Sequence, residues 1–375
     1  MNIFLKYASV AFVAASLIGC GDDCAKDKNG LNEAVLENKS VNQVSPKVVN
    51  DAQIVLLYRD NKSPALESIL TLVKEKFKKE MAKQDDVKEF ERFLEKSGLE
   101  DSEIKWILLS MGEVDFSTFE ENPDLSSLAV VLAVEHDSYK ILDLFLEEAK
   151  SDDSAKYESI EVSKAKVIKI VSTEKDTLNE AFFVTAINNS FLIFSGSEEM
   201  LKRQISLYRD NAPGDRRFNG IIEDDKIVVG MSIGNFGKIF DQALKEDPEG
   251  SAEAEAFLSQ INYKNIKVLD LGLKSDMSGE VSAAIEVETD TADDVVKLVS
   301  IARTFMMVFN AMLSQQVQNQ SDPNAETALE VLNSVQIKSE GARAKFTLPI
   351  PDKAVKLFIK EFEKGLKEGS QTIEK

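Results

Sequence analysis

The chain has 375 residues and a mass of 41.6 kDa, room for about two domains at roughly 150 residues each, and 43% of it is hydrophobic. With 45 Lys+Arg against 65 Asp+Glu its formal charge is -20, which repels phosphate backbones and argues against a nucleic-acid partner. A single His and two Cys exclude a histidine-rich zinc site, a paired CxxC ribbon and a multi-disulfide scaffold by count, and nothing in the composition calls for a cofactor.

The first 19 residues have the three parts of a secretory signal: Lys6 in a short leading segment, an apolar stretch from Tyr7 to Ile18, and small residues at the end. The stretch falls short of the roughly 20 apolar residues a membrane span needs. Its end, Leu17-Ile18-Gly19-Cys20, resembles the bacterial lipobox. That resemblance implies diacylglycerol transfer to the Cys20 sulfur, cleavage before Cys20, and a mature chain tethered by lipid to the membrane of a bacterial envelope. Gly21 follows the cysteine where an Asp would imply retention in the inner membrane, so transfer to the outer membrane is allowed. Residues 20–47 are polar and lack a sustained apolar period, as a flexible tether would be. Cys24, left without a partner there, is read as incidental rather than reactive.

Beyond the tether, Gln53 to Tyr58 predicts a strand, and the apolar spacing after Pro64 (Leu66, Ile69, Leu70, Val73, Phe77) predicts a long helix. A second helix over about Val87 to Lys96 precedes strands at Ile104 to Met111 and Leu128 to Val134, the latter apolar on both faces. Ile141, Leu144 and Phe145 mark an amphipathic helix. Tyr157 to Val171 and Ala181 to Phe194 read as hairpins, the second turning at Asn188-Asn189. Ser197 caps a helix with Glu198 and Glu199 in its first turn and Leu201, Ile205 and Tyr208 facing inward. The stretch Asn211 to Arg217 breaks the pattern.

The second half then repeats the order of the first. Val134-Glu135-His136-Asp137-Ser138 matches Val287-Glu288-Thr289-Asp290-Thr291, an offset of 287 − 134, or 153 residues, each closing a strand and opening a helix. Strands at Lys226 to Ile233, Ile266 to Leu273 and Val281 to Val287 answer the first three. A hairpin at Val335 to Leu348 and a helix at Pro351 to Lys364 answer the last hairpin and helix. The expected fold is therefore α+β: two tandem repeats, 48–215 and 216–375, each an antiparallel sheet with helices packed on one face. The layout, with Ser195-Gly196-Ser197-Glu198-Glu199 after the strand Phe191 to Phe194 and Asp290-Thr291-Ala292 opening a long helix, resembles a family of uncharacterised two-repeat bacterial envelope proteins. The resemblance brings no catalytic residues.

The chemistry-bearing residues mostly take structural readings. His136 beside Glu135 and Asp137 has the partners of a general base, and equally those of a solvated turn residue. No Gly-x-Ser-x-Gly elbow occurs. The glycines of Gly230 to Lys238 fit neither the dinucleotide nor the P-loop spacing and are read as permitting tight strand-to-helix packing. Asp27, Asn29 and Gly30 do not complete a calcium loop. Glu223-Asp224-Asp225 and Asp293-Asp294 are read as solvated or capping acids, with Asp294 three residues after Thr291 fitting a cap. The two copies of Tyr-Arg-Asp-Asn, at Tyr58 and Tyr208, end different elements and are taken as coincidence. No catalytic, cofactor or metal residue is assigned.

One helix stands out, from Thr291 to about Gln318. Val295, Leu298, Val299, Ala302, Phe305, Met306, Phe309 and Leu313 form a stripe that Met307, Val308 and Met312 widen beyond a surface helix, while Arg303 keeps it from reading as a span. It is either buried between the halves or lines a groove for an apolar ligand through Phe305, Met306, Phe309, Met312 and Leu313. The sequence thus predicts a lipid-anchored, non-catalytic interaction or scaffold module whose partner is an envelope protein. A carrier of apolar ligands is the second reading, and a hydrolase using carboxylates the third.

Overall fold

The computed structural model describes residues 45–59, 103–112, 126–135, 137–150, 155–172, 181–246, 262–275, 280–319 and 324–357. The helices expected after Pro64 and over 87–96 lie outside these residues, as do the signal, the tether up to residue 44, Cys20, Cys24 and His136; residues 45–47, expected in the tether, belong instead to the body, where Pro46 is buried. In the first half, β1 (Ile54–Arg59), β2 (Ile104–Met111) and β3 (Leu128–Val134) lead into helix α1 (Ser138–Ala149). Strands β4 (Ala155–Val162), β5 (Ala165–Ser172), β6 (Ala181–Ile187) and β7 (Phe191–Ser195) then lead into α2 (Glu198–Tyr208). A linker with the 3-10 turn Arg216–Phe218 and the short α3 (Asn219–Ile222) reaches β8 (Ile227–Gly234), followed by α4 (Phe236–Glu246). Next come β9 (Ile266–Ser275), β10 (Val281–Thr289), the long α5 (Ala292–Gln318), α6 (Ala325–Asn333), β11 (Gln336–Glu340) and β12 (Arg343–Ile350), with a last helix over 352–357.

All the described strands join one antiparallel sheet of 12, in the order β11-β12-β10-β9-β8-β1-β2-β3-β7-β6-β5-β4. The halves meet at β1 and β8, where Leu56 stands opposite Met231. Turns follow the chemistry read from the sequence: Asn188 and Asn189 both take positive φ, at 54° each, and close the β6–β7 hairpin.

Side-chain alternation separates two cores. Val55, Leu57, Trp106, Leu108, Val131 and Ile193 point to one face and pack under α2 through Leu201, Ile205 and Tyr208. Tyr58, Ile107, Val130, Leu132, Leu192 and Phe194 point to the other and pack under α1 through Ile141, Leu142 and Phe145. The expectation of helices on one face is therefore corrected, because α1 and α2 cover opposite faces of the same strands. The reason is in β3, whose seven residues are all buried, so neither face of the central strands meets water. In the second half α4 and α5 share the α1 side, through Phe236, Phe240, Leu298, Val295 and Val299 against Val287, Ala344 and Phe346.

Arginines fix the linker. Arg59, at the end of β1, donates from Nη1 to the carbonyls of Ile221 (3.2 Å), Asp224 (3.0 Å) and Ile227 (3.1 Å), and from Nη2 to that of Ile222. One guanidinium thus satisfies the carbonyls left open where α3 ends, across the junction of the halves. Arg217 does the same upstream, reaching the carbonyls of Asn50 (2.9 Å) and Ala52 (3.1 Å) while pairing with Asp215 at 2.6 Å. Lys47 ties the start of the body to the end of α2: its backbone N–H donates to the buried Tyr208 hydroxyl (2.9 Å), which donates back to the Lys47 carbonyl (3.0 Å).

Removing a buried guanidinium leaves four carbonyls short of donors, so Arg59→Ala is expected to cost about 2–4 kcal/mol of unfolding free energy. Arg59→Lys should recover less than half of that, since an ammonium cannot fork to four acceptors. Urea denaturation checks both, and a loss below about 0.5 kcal/mol would contradict the clamp.

Candidate functional site

Helix α5 is fixed most tightly at its first turn. Thr291 Oγ accepts from the Asp294 N–H at 3.2 Å and donates to Asp294 Oδ2 at 2.8 Å, which is the cap the spacing predicted. Asn262 and Asn265 also donate to the Asp294 carboxylate, at 3.0 and 2.9 Å. These donors hold its pKa down to about 2, with the Asn262 bond the largest cause. Val295 and Val299 are the buried apolar residues of the helix, and both lie in its first two turns.

Past Val299 the helix divides lengthwise. Met306, Asn310, Leu313 and Val317 form a half-buried stripe, and Asn310 on it donates to the Asn333 side chain in α6, which packs alongside. The outer arc faces water: Phe305 is 39% exposed, Met307 66%, Val308 52%, Phe309 51% and Met312 53%. Neither sequence-based expectation describes this. The helix is not buried between the halves, because it packs on β10 to β12 and α6 of its own half. The five residues expected to line a groove divide between the two sides, Met306 and Leu313 inward and Phe305, Phe309 and Met312 outward. The inward stripe marked in the sequence holds for Val295, Leu298, Val299, Ala302, Met306 and Leu313, and fails for Phe305 and Phe309, which join the exposed arc.

The opposite face of the same strands is polar. Asp270 on β9 is buried, accepts from the Ser232 hydroxyl, and stands directly opposite Glu286 on β10. Burial, more than the facing Glu286, pushes its pKa up to about 6, against the pull of the Ser232 bond. Around it, Lys274 pairs with Asp224, Lys345 with Glu286 at 3.5 Å, and Arg343 with Glu288 at 2.5 Å. A cavity of about 10 Å³ lies between Gly220, Asp270, Lys274, Glu286 and Lys345. That volume holds one water, where ligand sites occupy about 300–1,000 Å³. The network is thus a compensated structural cluster, with no space for a substrate between its carboxylates. A larger cavity, about 690 Å³, opens where β10 and β12 meet α6, with a mixed lining in which Lys226, Glu280, Glu330 and Asp352 stand beside Val281, Pro349, Ile350 and Pro351. It shares no residue with the α5 arc.

The remaining candidates resolve into structural roles. A Cβ at Gly237 would come within 2.6 Å of the Tyr263 and Lys264 carbonyls, so this glycine serves close packing as read from the sequence. Arg209 bonds its neighbour Asp210 and the Ser163 carbonyl, quite unlike Arg59, so the two Tyr-Arg-Asp-Asn copies share no role. Among the described residues no group of three or more His, Cys, Asp or Glu is placed to hold a metal. Asp270 was missed by sequence reading, because its place opposite Glu286 needs the β9–β10 register, which no local pattern states.

No family model matches the chain, and no curated protein matches it. Among solved structures, the protein TP0453 in its crystal form I is similar over 84% of this chain and 99% of its own, at 11% identity and a TM-score of 0.38.

Two expectations follow. A carboxyl whose folded pKa of about 6 exceeds its unfolded value of about 3.9 contributes stability below pH 4 that is lost as pH rises through 6. Asp270→Asn should therefore unfold up to about 3 kcal/mol less readily than the native protein at pH 8, relative to their difference at pH 4; parallel urea titrations at the two pH values would expose a flat difference. Asp294→Ala should speed amide exchange along 292–318 at least tenfold while leaving β1 to β3 unchanged, and uniform exchange across both regions would contradict the anchoring at Asp294.

Proposed function

We propose that this chain is a lipid-anchored protein of the bacterial envelope, held by Cys20, and that its body is a non-catalytic interaction module which presents the outer arc of α5. The observation that carries the reading is the arc itself. Five large apolar side chains stand in water on a helix fixed at its base, while the charged residues behind the same strands are paired with one another. The carrier reading has less support, because the arc is convex and shares no residue with the roomy cavity. The hydrolase reading lacks space beside Asp270 and Glu286.

The body is further read as two repeats sharing one sheet. Lys105 in β2 and Lys267 in β9 each sit at a bulge, and each pairs at 3.1 Å with an acid just past the next strand, Glu135 and Asp290. The backbone bonds recur beside them: Glu135 N–H to Glu103 (2.7 Å) with Asp290 N–H to Asn265 (2.9 Å), and Val134 N–H to Ser190 (2.8 Å) with Thr289 N–H to Ala342 (2.9 Å). These pairings support an offset of 289 − 134, or 155 residues, two more than the sequence match proposed. A slip of two keeps every side chain on its own face, which is why the apolar pattern did not betray it.

Metabolic labelling with palmitate and cell fractionation test the anchor. The native chain should carry the label and sediment with membranes, and Cys20→Ser should lose the label. A native chain that takes up no label, or a Cys20→Ser chain that keeps it, would overturn the anchor.

A further inference from the structure

We propose that the partner of the α5 arc is the bilayer surface itself, with α5 lying along it and only its outer side immersed in the headgroup and upper acyl region. The proposal deepens the interaction reading above and rests on it for the arc, and on Cys20 only for proximity.

The composition of the arc comes first. From Thr304 to Gln318 no residue is ionisable, and an 18-residue window of α5 has a mean hydropathy of 1.5. Those 15 residues run about 22 Å along the helix axis. A surface that selects a protein partner normally frames its apolar centre with a polar and charged rim that fixes register. This arc has Arg303 at one end and Gln315 and Gln316 at the other, the arrangement of a helix whose polar ends meet headgroups.

Its geometry forbids crossing. The first turn is bound to the sheet through Asp294, and after α5 the chain returns through α6 to β11 in the same sheet. The nine residues of α6 measure about 14 Å, less than half of the roughly 30 Å hydrocarbon core. A hairpin with so short a second arm stays on the side it entered. The half-buried stripe of Met306, Asn310 and Leu313 also commits one side of α5 to the protein, leaving the outer side alone to meet lipid.

Charge and tether choose the bilayer over a second copy. Two bodies near -20 repel each other, and a zwitterionic membrane has no such field. The chain between Cys20 and Pro46 spans at most about 90 Å, more than the roughly 55 Å width of a 12-stranded sheet, so a lipid on Cys20 lets either face of the body reach the membrane. Confinement to that distance raises the effective concentration of bilayer at the arc, so a weak apolar contact suffices.

The test uses the mature chain from position 20 with Cys20→Ser and Cys24→Ser, which carries no lipid, and vesicles of phosphatidylcholine. It should float with the vesicles, with little gain when anionic lipid is added. An environment-sensitive dye attached after Val308→Cys should shift to the blue and be quenched by brominated lipid, and the same dye after Glu158→Cys on β4 should not respond. The pair Phe309→Glu and Met312→Glu should lower the partition coefficient at least tenfold with an unchanged thermal melt. A chain that stays in the vesicle-free fraction, equal quenching at both dye positions, or a dimer in light scattering that the double variant dissociates would each overturn the proposal. Palmitate labelling of the full chain decides the anchor separately: flotation of the lipid-free chain supports the seat even where Cys20 carries no label, and a labelled chain whose lipid-free form fails to float defeats the seat alone.

Discussion

The pairing of β1 with β8 is the contact on which the rest of the molecule depends. Apart, the halves would expose two long apolar edges, Ile54 to Arg59 and Ile227 to Gly234, with a full row of unpaired backbone groups each. Joined, they leave β4 and β11 as the outer edges among the described strands, and these carry Lys156, Glu158, Glu161, Lys338 and Glu340 and so discourage further strand addition. Arg59 makes the pairing and the linker one structure, because the residue that ends β1 also collects the carbonyls that precede β8.

From that seam the two sides diverge. In the proposed repeat alignment the β-ladders set Leu57 against Ser232, Leu108 against Asp270, Val131 against Glu286 and Ile193 against Lys345. The first half uses these positions to bury α2. The second fills them with hydrogen-bonded and paired charges, over which an apolar helix face would cost desolvation without return. Apolar burial in the second half is therefore concentrated on the α5 side, in two small clusters, where the first half has a large core on each face. The paired charges hold their strands in register, but they add little to stability.

How much of this was legible follows from which signals are local. Strands with β-branched or continuous apolar runs, the Asn188-Asn189 turn, and the Ser197 and Thr291 caps are written in a few neighbouring residues, and they stand where the sequence put them. Helix α6 went unread, since nine residues with Ala, Thr and Glu among the apolar ones give a short and diluted period. The covering of both faces was half visible in the unbroken apolar run of β3, yet assigning helices to faces needs the three-dimensional crossing of the chain. The α5 arc misled for a related reason. Periodicity finds an apolar stripe but cannot say whether anything lies against it, and here the covered stripe and the open arc are both apolar.

That last point bears on why such a helix persists. A side chain exposed in both the folded and the unfolded chain contributes almost nothing to folding free energy, so Met307, Val308, Phe309 and Met312 are neither maintained nor penalised by the fold. Their cost falls on solubility, where an uncharged apolar ridge invites association. Meanwhile the helix gains its order elsewhere, from the Asp294 cap, from Val295 and Val299, and from α6. Stability and exposure are thus carried by different residues of the same helix.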